Sequence, residues 1–253
     1  MQKQAIRFSL TTLLFGAVGL LMRWLQTMSI FDAETGLPTP NAPISFLVAL
    51  VILAAILVLW RMSGKLYIKN VPEEPEELLA LPEKAARLIF IFAGIVTLAG
   101  SAMLFFTADS LLLRIVALLG ILSVLPLLTL PYLSHWGGFG VFLSTLPTLF
   151  FSLWLVAFYR DNAIDPTLWA YCVQILSISA CLFAVFRVAS RFFYRMNARI
   201  TTFACSMGVI FSLMMLMDDT LAASKLIMAG WCVGIGGALF LLLWNLGTQE
   251  DEY

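Results

Sequence analysis

The chain has 253 residues, of which 61% are hydrophobic and 12% are charged, and its formal net charge is zero. Soluble domains carry roughly 25% charged residues, so a water-soluble fold of this length has too few charges to cover so much apolar surface. The composition excludes a soluble enzyme and shows no basic excess for nucleic acid, and it indicates a protein whose partner is the lipid bilayer.

A helix needs about 20 apolar residues to cross a hydrocarbon core about 30 Å thick. Eight stretches approach or exceed that length, at 8–31, 44–60, 88–107, 110–130, 139–159, 167–186, 200–217 and 220–246. We therefore predict an all-α integral membrane protein, a bundle of about eight transmembrane helices in a single membrane domain, 1–253. Pro126 and Pro147 fall inside the fourth and fifth stretches and are expected to kink them.

Basic residues are segregated along the chain, and cytoplasmic connectors are the ones that carry excess Lys and Arg. If the N-terminus is cytoplasmic, eleven basic residues fall on inner connectors and only Arg160 falls on an outer one. The eleven are Lys3, Arg7, Arg61, Lys65, Lys69, Lys84, Arg87, Arg187, Arg191, Arg195 and Arg199. We predict a multi-pass protein of a bacterial plasma membrane with both termini in the cytoplasm.

A repeated pattern suggests a tandem duplication of a four-span unit. Arg61, Lys65 and Lys69 close the second stretch, and Arg187, Arg191 and Arg195 close the sixth with the same spacing, half a chain length later. An even number of spans per unit predicts parallel pseudo-twofold halves, 1–130 and 131–253. The alternative is that no duplication occurred, and that the preference for Lys and Arg on the cytoplasmic side places basic residues at corresponding helix ends.

The predicted outer connectors are acidic and allow two interpretations. Asp109, Asp165 and Asp219 precede helices, where a carboxylate satisfies free backbone amides and suits the helix dipole. Capping does not account for the other outer acidic residues, which are Asp32, Glu34, Asp161 and Asp218. These four leave open a mouth that collects cations.

Four polar residues inside the apolar stretches predict a candidate site. Arg23 lies eight residues before Phe31, about 12 Å into the first helix, so it needs an internal partner or a polar cavity. We predict an outward polar pocket for an anionic or zwitterionic solute, lined by Arg23, Arg114, Gln174 and Lys225. Arg114 and Lys225 also allow a simpler explanation, snorkelling to the outer surface or pairing with Asp109, Asp218 or Asp219.

A basic stripe is predicted on the inner face, where Arg187, Arg191, Arg195 and Arg199 recur every four residues. Like charges at this spacing repel one another on a helix, so the stripe needs compensation. Anionic lipid headgroups offer it. The acidic connector offers it too, and its residues are Glu73, Glu74, Glu76, Glu77 and Glu83.

Small residues in the last stretch predict a close helix contact. The glycines of the segment from Gly230 to Gly237 give one face on which another helix can approach closely. Packing within the chain is one interpretation. A homodimer or another membrane-protein partner is the other.

Catalytic and metal-binding signatures are absent from the sequence. Cys172, Cys181, Cys205 and Cys232 show no CxxC spacing, and His135 is the single histidine. One histidine forms neither a metal site nor a triad. We expect no catalytic residue, cofactor or metal, and the absence of Asp and Glu near the middle of any stretch counts against a proton pump.

Three classes of function remain. A small-solute permease or channel-like transporter is favoured by the kinked spans and the outer polar residues. A non-transporting membrane subunit, sensor or assembly partner is favoured by compact connectors, and an intramembrane enzyme is the least favoured. A cavity reaching toward the midplane from outside supports transport, whereas a solid bundle with a flat apolar flank at 230–237 supports a partner subunit.

Overall fold

The computed structural model describes residues 2–30, 42–66, 84–162, 168–193 and 197–248, and this part of the chain is all-helical. Eight of its helical segments are long and apolar enough to cross a membrane, which confirms the predicted fold class. The helices are α1 (Gln2–Ile30), α2 (Pro43–Gly64), α3 (Lys84–Thr107), α4 (Leu111–Leu122), α5 (Val124–Thr129), α6 (Gly137–Asn162), α7 (Leu168–Ala189), α8 (Ala198–Met215) and α9 (Ala222–Thr248). Two 3₁₀ segments, Leu130–Trp136 and Ser190–Phe193, follow α5 and α7.

The bundle has two ends, which we name after one residue each. At the Asp218 end, α1, α3, α6 and α8 finish, and α2, α4, α7 and α9 begin. At the Arg199 end, α2, α7 and α9 finish, and α3, α6 and α8 begin. The predicted orientation makes the Asp218 end the outer one.

The two helices at the centre of the bundle are α8 and α9. Over their most apolar stretches 78% of α8 and 72% of α9 are buried, against 17% to 44% for the other spans. The span α8 is also the least hydrophobic, with a mean hydropathy of 1.5, whereas the exposed α2 reaches 2.8. Lipid demands apolar side chains on the outside, while the interior of a membrane bundle accepts small polar ones.

Small polar side chains join α8 to its neighbours. Ser177 on α7 donates a hydrogen bond to the carbonyl oxygen of Phe211 at 2.6 Å, and Thr12 on α1 donates to Oγ of Ser206 at 3.2 Å. The Sγ atom of Cys181 lies 3.0 Å from Oγ of Ser212. Interhelical hydrogen bonds of this kind each contribute about 0.6 kcal/mol to stability in a membrane. The polar contacts between α8 and its neighbours are therefore stabilised by the sum of several weak interactions.

The glycines of α9 provide close helix contacts inside the chain. A Cβ atom at Gly230 would lie 2.7 Å from the backbone nitrogen of Thr97 on α3. One at Gly234 would lie 2.6 Å from Leu127, and one at Gly237 would lie 3.3 Å from the ring of Phe90. These contacts are the packing within the chain that was one of the two interpretations of this glycine segment, the other being a homodimer or another membrane-protein partner.

The two prolines act differently on their spans. The fourth span breaks at Ser123, because the ring of Pro126 clashes with the carbonyl four residues earlier, at Leu122, where α4 ends. The helix α6 contains Pro147 and continues through it. The turn before α6 uses Gly137, whose φ of 55° lies in the left-handed region that favours glycine.

Helices that a duplication would make equivalent occupy different places. The third span, α3, is 39% buried and its counterpart α8 is 78% buried. The fourth span, at 39%, contrasts in the same way with α9 at 72%. This packing lends the duplication no support, and it stays a prediction.

Candidate functional site: a polar cleft above an aromatic cluster

A cleft of about 490 Å³ opens at the Asp218 end, between α6, α7 and the start of α9. Ligand pockets for small molecules fall in the range of roughly 300–1,000 Å³, so the cleft is large enough for a small solute. Its lining residues are Leu104, Leu113, Trp154, Phe158, Asp161, Asn162, Tyr171, Gln174, Met215, Asp219, Thr220, Leu221 and Ser224.

Helical spacing explains how these side chains meet. On α6, Trp154, Phe158 and Asp161 recur at intervals of four and three residues, which places them on one face. Tyr171 and Gln174 on α7 follow the same rule. The stripe on α6 changes from aromatic to acidic as the helix leaves the apolar layer, so the cleft is aromatic below and polar at its mouth.

Two rings form a corner in the wall of the cleft. The ring centroids of Phe158 and Tyr171 are 6.2 Å apart and the ring planes cross at 71°. Both side chains are half-buried, so part of each ring faces the cleft. Aromatic faces carry negative electrostatic potential, which attracts cations and tolerates neutral solutes.

Carboxylates stand at the mouth. Asp161 and Asp219 are both exposed and both line the cleft. Asp161 accepts a hydrogen bond from Nη2 of Arg160 at 3.0 Å, but the pair is open to solvent and such pairs contribute at most about 1 kcal/mol. Asp161 therefore remains free to exchange this partner for a solute.

An aromatic cluster closes the bottom of the cleft. Trp154 belongs to the cluster and also lines the cleft, and the other members are Phe150, Phe151 and Trp231, with ring centroids 4.9 to 6.5 Å apart. All four side chains are buried. We call this group the aromatic plug.

A second, smaller cavity of about 40 Å³ lies on the other side of the plug. It is lined by Trp231 and Pro147 and extends to Leu133 and Phe192 at the Arg199 end. Its walls are apolar apart from Ser144. The cleft, the plug and the small cavity thus follow one another along α6, which contributes Asp161 to the first, Phe150 to the second and Pro147 to the third.

A buried polar network stands beside the cleft. Nε of Arg23 donates to Oδ1 of Asp218 at 2.5 Å, and Nη1 of Arg23 donates to Oε1 of Gln26 at 2.7 Å. Gln26 in turn donates to Oγ of Ser45 on α2 at 3.1 Å. Arg23 is 2% exposed and Asp218 is 1% exposed, so the two charges are shielded from water and stabilise each other.

The electrostatics of Asp218 depend on its neighbours. Burial raises the pKa of the Asp218 carboxyl above its ordinary value, and the hydrogen bond and charge of Arg23 oppose that rise. Gln174 and Lys225 also lower this pKa, which places both of them close to Asp218. Arg23 is thus the main group that favours the ionised carboxylate.

The four residues predicted to line one pocket are placed differently. Gln174 lines the cleft, Arg23 pairs with Asp218, Lys225 acts on Asp218 through its charge, and Arg114 is exposed. Nε of Arg114 donates to the carbonyl oxygen of Ala108 at 3.2 Å, where it caps the end of α3. Arg23 has the internal partner that its depth required, and of the four only Gln174 is among the described residues of the cleft wall.

The outer acidic residues are divided in the same way. Asp161 lines the cleft and Asp218 pairs with Arg23, while Asp32 and Glu34 lie outside the described residues.

The amides at the start of α4 are capped by Ser110, whose Oγ accepts from the backbone nitrogen of Leu113 at 3.2 Å. Ser110, the neighbour of Asp109, therefore makes the cap.

The predicted basic stripe does not follow one continuous helix. Arg187 lies in the last turn of α7, Arg191 lies in the 3₁₀ segment and is buried, and Arg199 lies in the first turn of α8. The chain starts a new helix because Oδ1 of Asn197 accepts from the amide of Ile200 at 3.2 Å, as an N-cap does. Arg195 and the acidic connector 73–83 lie outside the described residues.

Arg199 has an aromatic partner. Its guanidinium carbon lies 4.5 Å from the ring centroid of Trp60 on α2, and Trp60 packs edge-to-face on Phe203. This cation–π contact holds the end of α2 against the start of α8. Lipid compensation of the remaining basic residues at this end stays a prediction.

The residues that sequence reasoning missed are the aromatic ones. Trp154, Phe158 and Tyr171 were counted as apolar span residues, although the spacing of Phe158 with Asp161 and of Tyr171 with Gln174 was visible in the sequence.

Among the residues that the structure describes, no group of His, Cys, Asp and Glu side chains is arranged to hold a metal ion. Comparison with protein-family models, curated proteins and solved structures found no match to this chain.

Proposed function

We propose that this multi-pass membrane protein is a small-solute permease, with the cleft as its solute-binding site and the aromatic plug as its barrier. The observation that carries the proposal is the succession, along α6, of a cleft of about 490 Å³, a plug of four aromatic rings and a cavity of about 40 Å³. A transporter requires a site that opens to one side and a closed layer beneath it. With the predicted orientation, the cleft accepts solute from outside the cell.

The plug stands next to a hinge. Pro147 has no backbone N–H, so the carbonyl of Leu143 loses its helical hydrogen bond one turn below Phe150 and Phe151. Ser144 and Thr145 donate side-chain hydrogen bonds to the carbonyls of residues 141 and 142, which further loosens this turn of α6. A bend here would move two rings of the plug and connect the cleft with the small cavity.

A second candidate function is a non-transporting membrane subunit, and the exposed surface of α2 favours it. Only 17% of α2 is buried, and a row of large apolar side chains faces outward, namely Phe46, Leu50, Leu53 and Leu57. Lipid can cover this apolar surface as well as a partner helix can, so we rank the non-transporting subunit below the permease.

Uptake into proteoliposomes tests the proposal. The purified protein is reconstituted, and entry of small polar solutes is followed by light scattering after an osmotic jump, with glycerol, glycine and tetramethylammonium chloride as representatives of three charge classes. Ser224→Trp fills the cleft from α9. Leu226→Trp makes the same change two residues away on a side chain that is 37% exposed, and it is the matched control.

We expect at least one solute to enter faster than into empty liposomes, the Ser224→Trp variant to abolish that entry, and the Leu226→Trp variant to retain it. Equal entry through both variants would contradict the cleft as the route. Entry no faster than into empty liposomes for every solute would favour the non-transporting subunit.

A further inference from the structure

We propose that the cleft selects small organic monocations, protonated amines or quaternary ammonium ions, and not the anionic or zwitterionic solutes that the sequence suggested. The inference deepens the proposed function, since it names the class of solute for the same site. It rests on three features of the cleft wall: the aromatic corner, the sign of the charges at the mouth and the polar atoms between them.

The aromatic corner fits an alkylammonium group. Phe158 and Tyr171 meet at 71° with centroids 6.2 Å apart, so a cation seated in the corner contacts two ring faces at once. Crossed aromatic rings are the usual means by which proteins recognise quaternary ammonium ions. Leu221, which also lines the cleft, offers an apolar surface for the alkyl part of the ion.

The charges at the mouth are negative. Asp161 and Asp219 line the cleft, and no Lys or Arg is found in its wall within the described ranges. The arginines nearby point to other acceptors: Arg23 to Asp218, Arg114 to Ala108 and Arg160 to Asp161. Arg160 compensates Asp161 only in part, because that pair is open to solvent, and Asp219 has no ion pair among the described residues. An anion in the cleft would therefore meet net negative charge, whereas a cation would meet favourable charge.

Hydrogen-bonding groups complete the wall. Oγ1 of Thr220 is buried and has no partner among the described residues, and it can accept from an ammonium N–H or a hydroxyl of the solute. Asn162, Gln174 and Ser224 supply further oxygens around the same space. A solute with one charged and one hydroxylated end therefore matches the cleft over its length.

Isothermal titration calorimetry on the purified full-length protein in detergent tests this class. The probes are choline, its neutral carbon isostere dimethylbutanol and the carboxylate dimethylbutyrate, which have similar size and different charge. We expect choline to bind about 10-fold or more tightly than dimethylbutanol, which is the effect of a desolvated cation–π contact, and dimethylbutyrate to bind more weakly still.

Two pairs of variants locate the site. Phe158→Ala and Asp219→Asn are each expected to weaken choline binding several-fold. Phe142→Ala, on the exposed face of α6, and Asp109→Asn, an exposed carboxylate at the same end, are expected to leave it unchanged. Equal or tighter binding of dimethylbutanol or dimethylbutyrate, or equal effects of Asp219→Asn and Asp109→Asn, would overturn the inference.

Failure of this inference and failure of the proposed function can be told apart. Choline binding without entry into proteoliposomes would uphold the cation site and remove the permease. Entry of glycerol or glycine without preference for choline would uphold the permease and remove the cation site.

Discussion

Arg23 on α1 donates a hydrogen bond from Nε to Oδ1 of Asp218 at 2.5 Å, although 195 positions separate the two residues. The carboxylate stands between the end of α8 and the start of α9, and the next three residues along the chain line the cleft. The ion pair thus joins the first helix to the segment that forms one wall of the candidate site.

The two halves of this ion pair should respond unequally to mutation. Asp218→Asn leaves a guanidinium that stays charged and buried, so we expect a loss of about 3–5 kcal/mol in the free energy of unfolding. Arg23→Met should cost less, because the carboxyl of Asp218 can take up a proton and become neutral. Thermal unfolding in detergent measures both. Asp219→Asn, at an exposed neighbour, is the control and should change little; a loss as large as that of Asp218→Asn would contradict the assignment.

The Arg23→Met variant should also acquire a pH dependence. Burial raises the pKa of Asp218 and Arg23 lowers it, so removing Arg23 raises the folded-state pKa further above its ordinary value of 3.8. A carboxyl group whose pKa is raised in the folded state stabilises the fold at pH values below its ordinary pKa. That stability is lost as the pH rises through the folded-state pKa. We therefore expect the unfolding temperature of Arg23→Met to fall more steeply than that of the wild type as the pH rises above 3.8.

The double variant Arg23→Met with Asp218→Asn supplies the control for this slope. It has neither charge, so the extra slope should vanish. If the double variant keeps the slope of Arg23→Met, another group is titrating.

Two glycines of α9 should respond differently to replacement by alanine. A Cβ atom at Gly230 would lie 2.7 Å from the backbone nitrogen of Thr97 and 2.8 Å from the carbonyl oxygen of Ala93, so α3 and α9 must separate. We expect Gly230→Ala to lower the free energy of unfolding by about 1–3 kcal/mol, the usual cost of overpacking. At Gly236 the nearest atom is a methyl of Val209 at 3.7 Å, so Gly236→Ala should be neutral or stabilising by up to about 1 kcal/mol.

Unfolding of the two alanine variants side by side checks this contrast. Two equally stable variants would show that α3 and α9 do not approach each other at Gly230. The same result would reopen the glycine face as a surface for a partner.

The hinge proposed at Pro147 in α6 predicts an effect on the proposed transport that is separate from stability. Pro147→Ala restores a backbone donor to the carbonyl of Leu143, so the helix should stiffen and the unfolding temperature should stay the same or rise. Solute entry into proteoliposomes should slow several-fold, since the plug can no longer swing with the hinge. Leu149→Ala, on an exposed position of the same helix, serves as the control. Unchanged entry through Pro147→Ala would show that the plug opens by another movement.

The spans could be predicted from sequence because the bilayer imposes a length and a polarity on each of them. The second span was predicted at 44–60 and is Pro43–Gly64, and the last was predicted at 220–246 and is Ala222–Asn245. The break near Pro126 followed from the ring clash with the preceding turn. Local chemistry was enough for these features.

The order of the helices in the bundle could not be predicted, because lipid and protein interior are both apolar and the hydropathy pattern does not tell them apart. The partner of Arg23 lies at the far end of the chain, and three acidic residues were available to the outer basic ones. Phe158 and Tyr171 form one corner only because α6 and α7 pack side by side. The sequence therefore grouped Arg23, Arg114 and Lys225 with Gln174, whereas only Gln174 lines the cleft among the described residues.

Thiol labelling of intact cells tests most directly whether the cleft opens to the outside. In a Cys172→Ser background, which removes the one native thiol that is not fully buried, Ser224→Cys should react with a membrane-impermeant maleimide added outside. Ser190→Cys, at the Arg199 end, should react only after the cells are opened. Labelling of both positions from outside, or of Ser190→Cys alone, would contradict a solute site that opens outward above a closed plug.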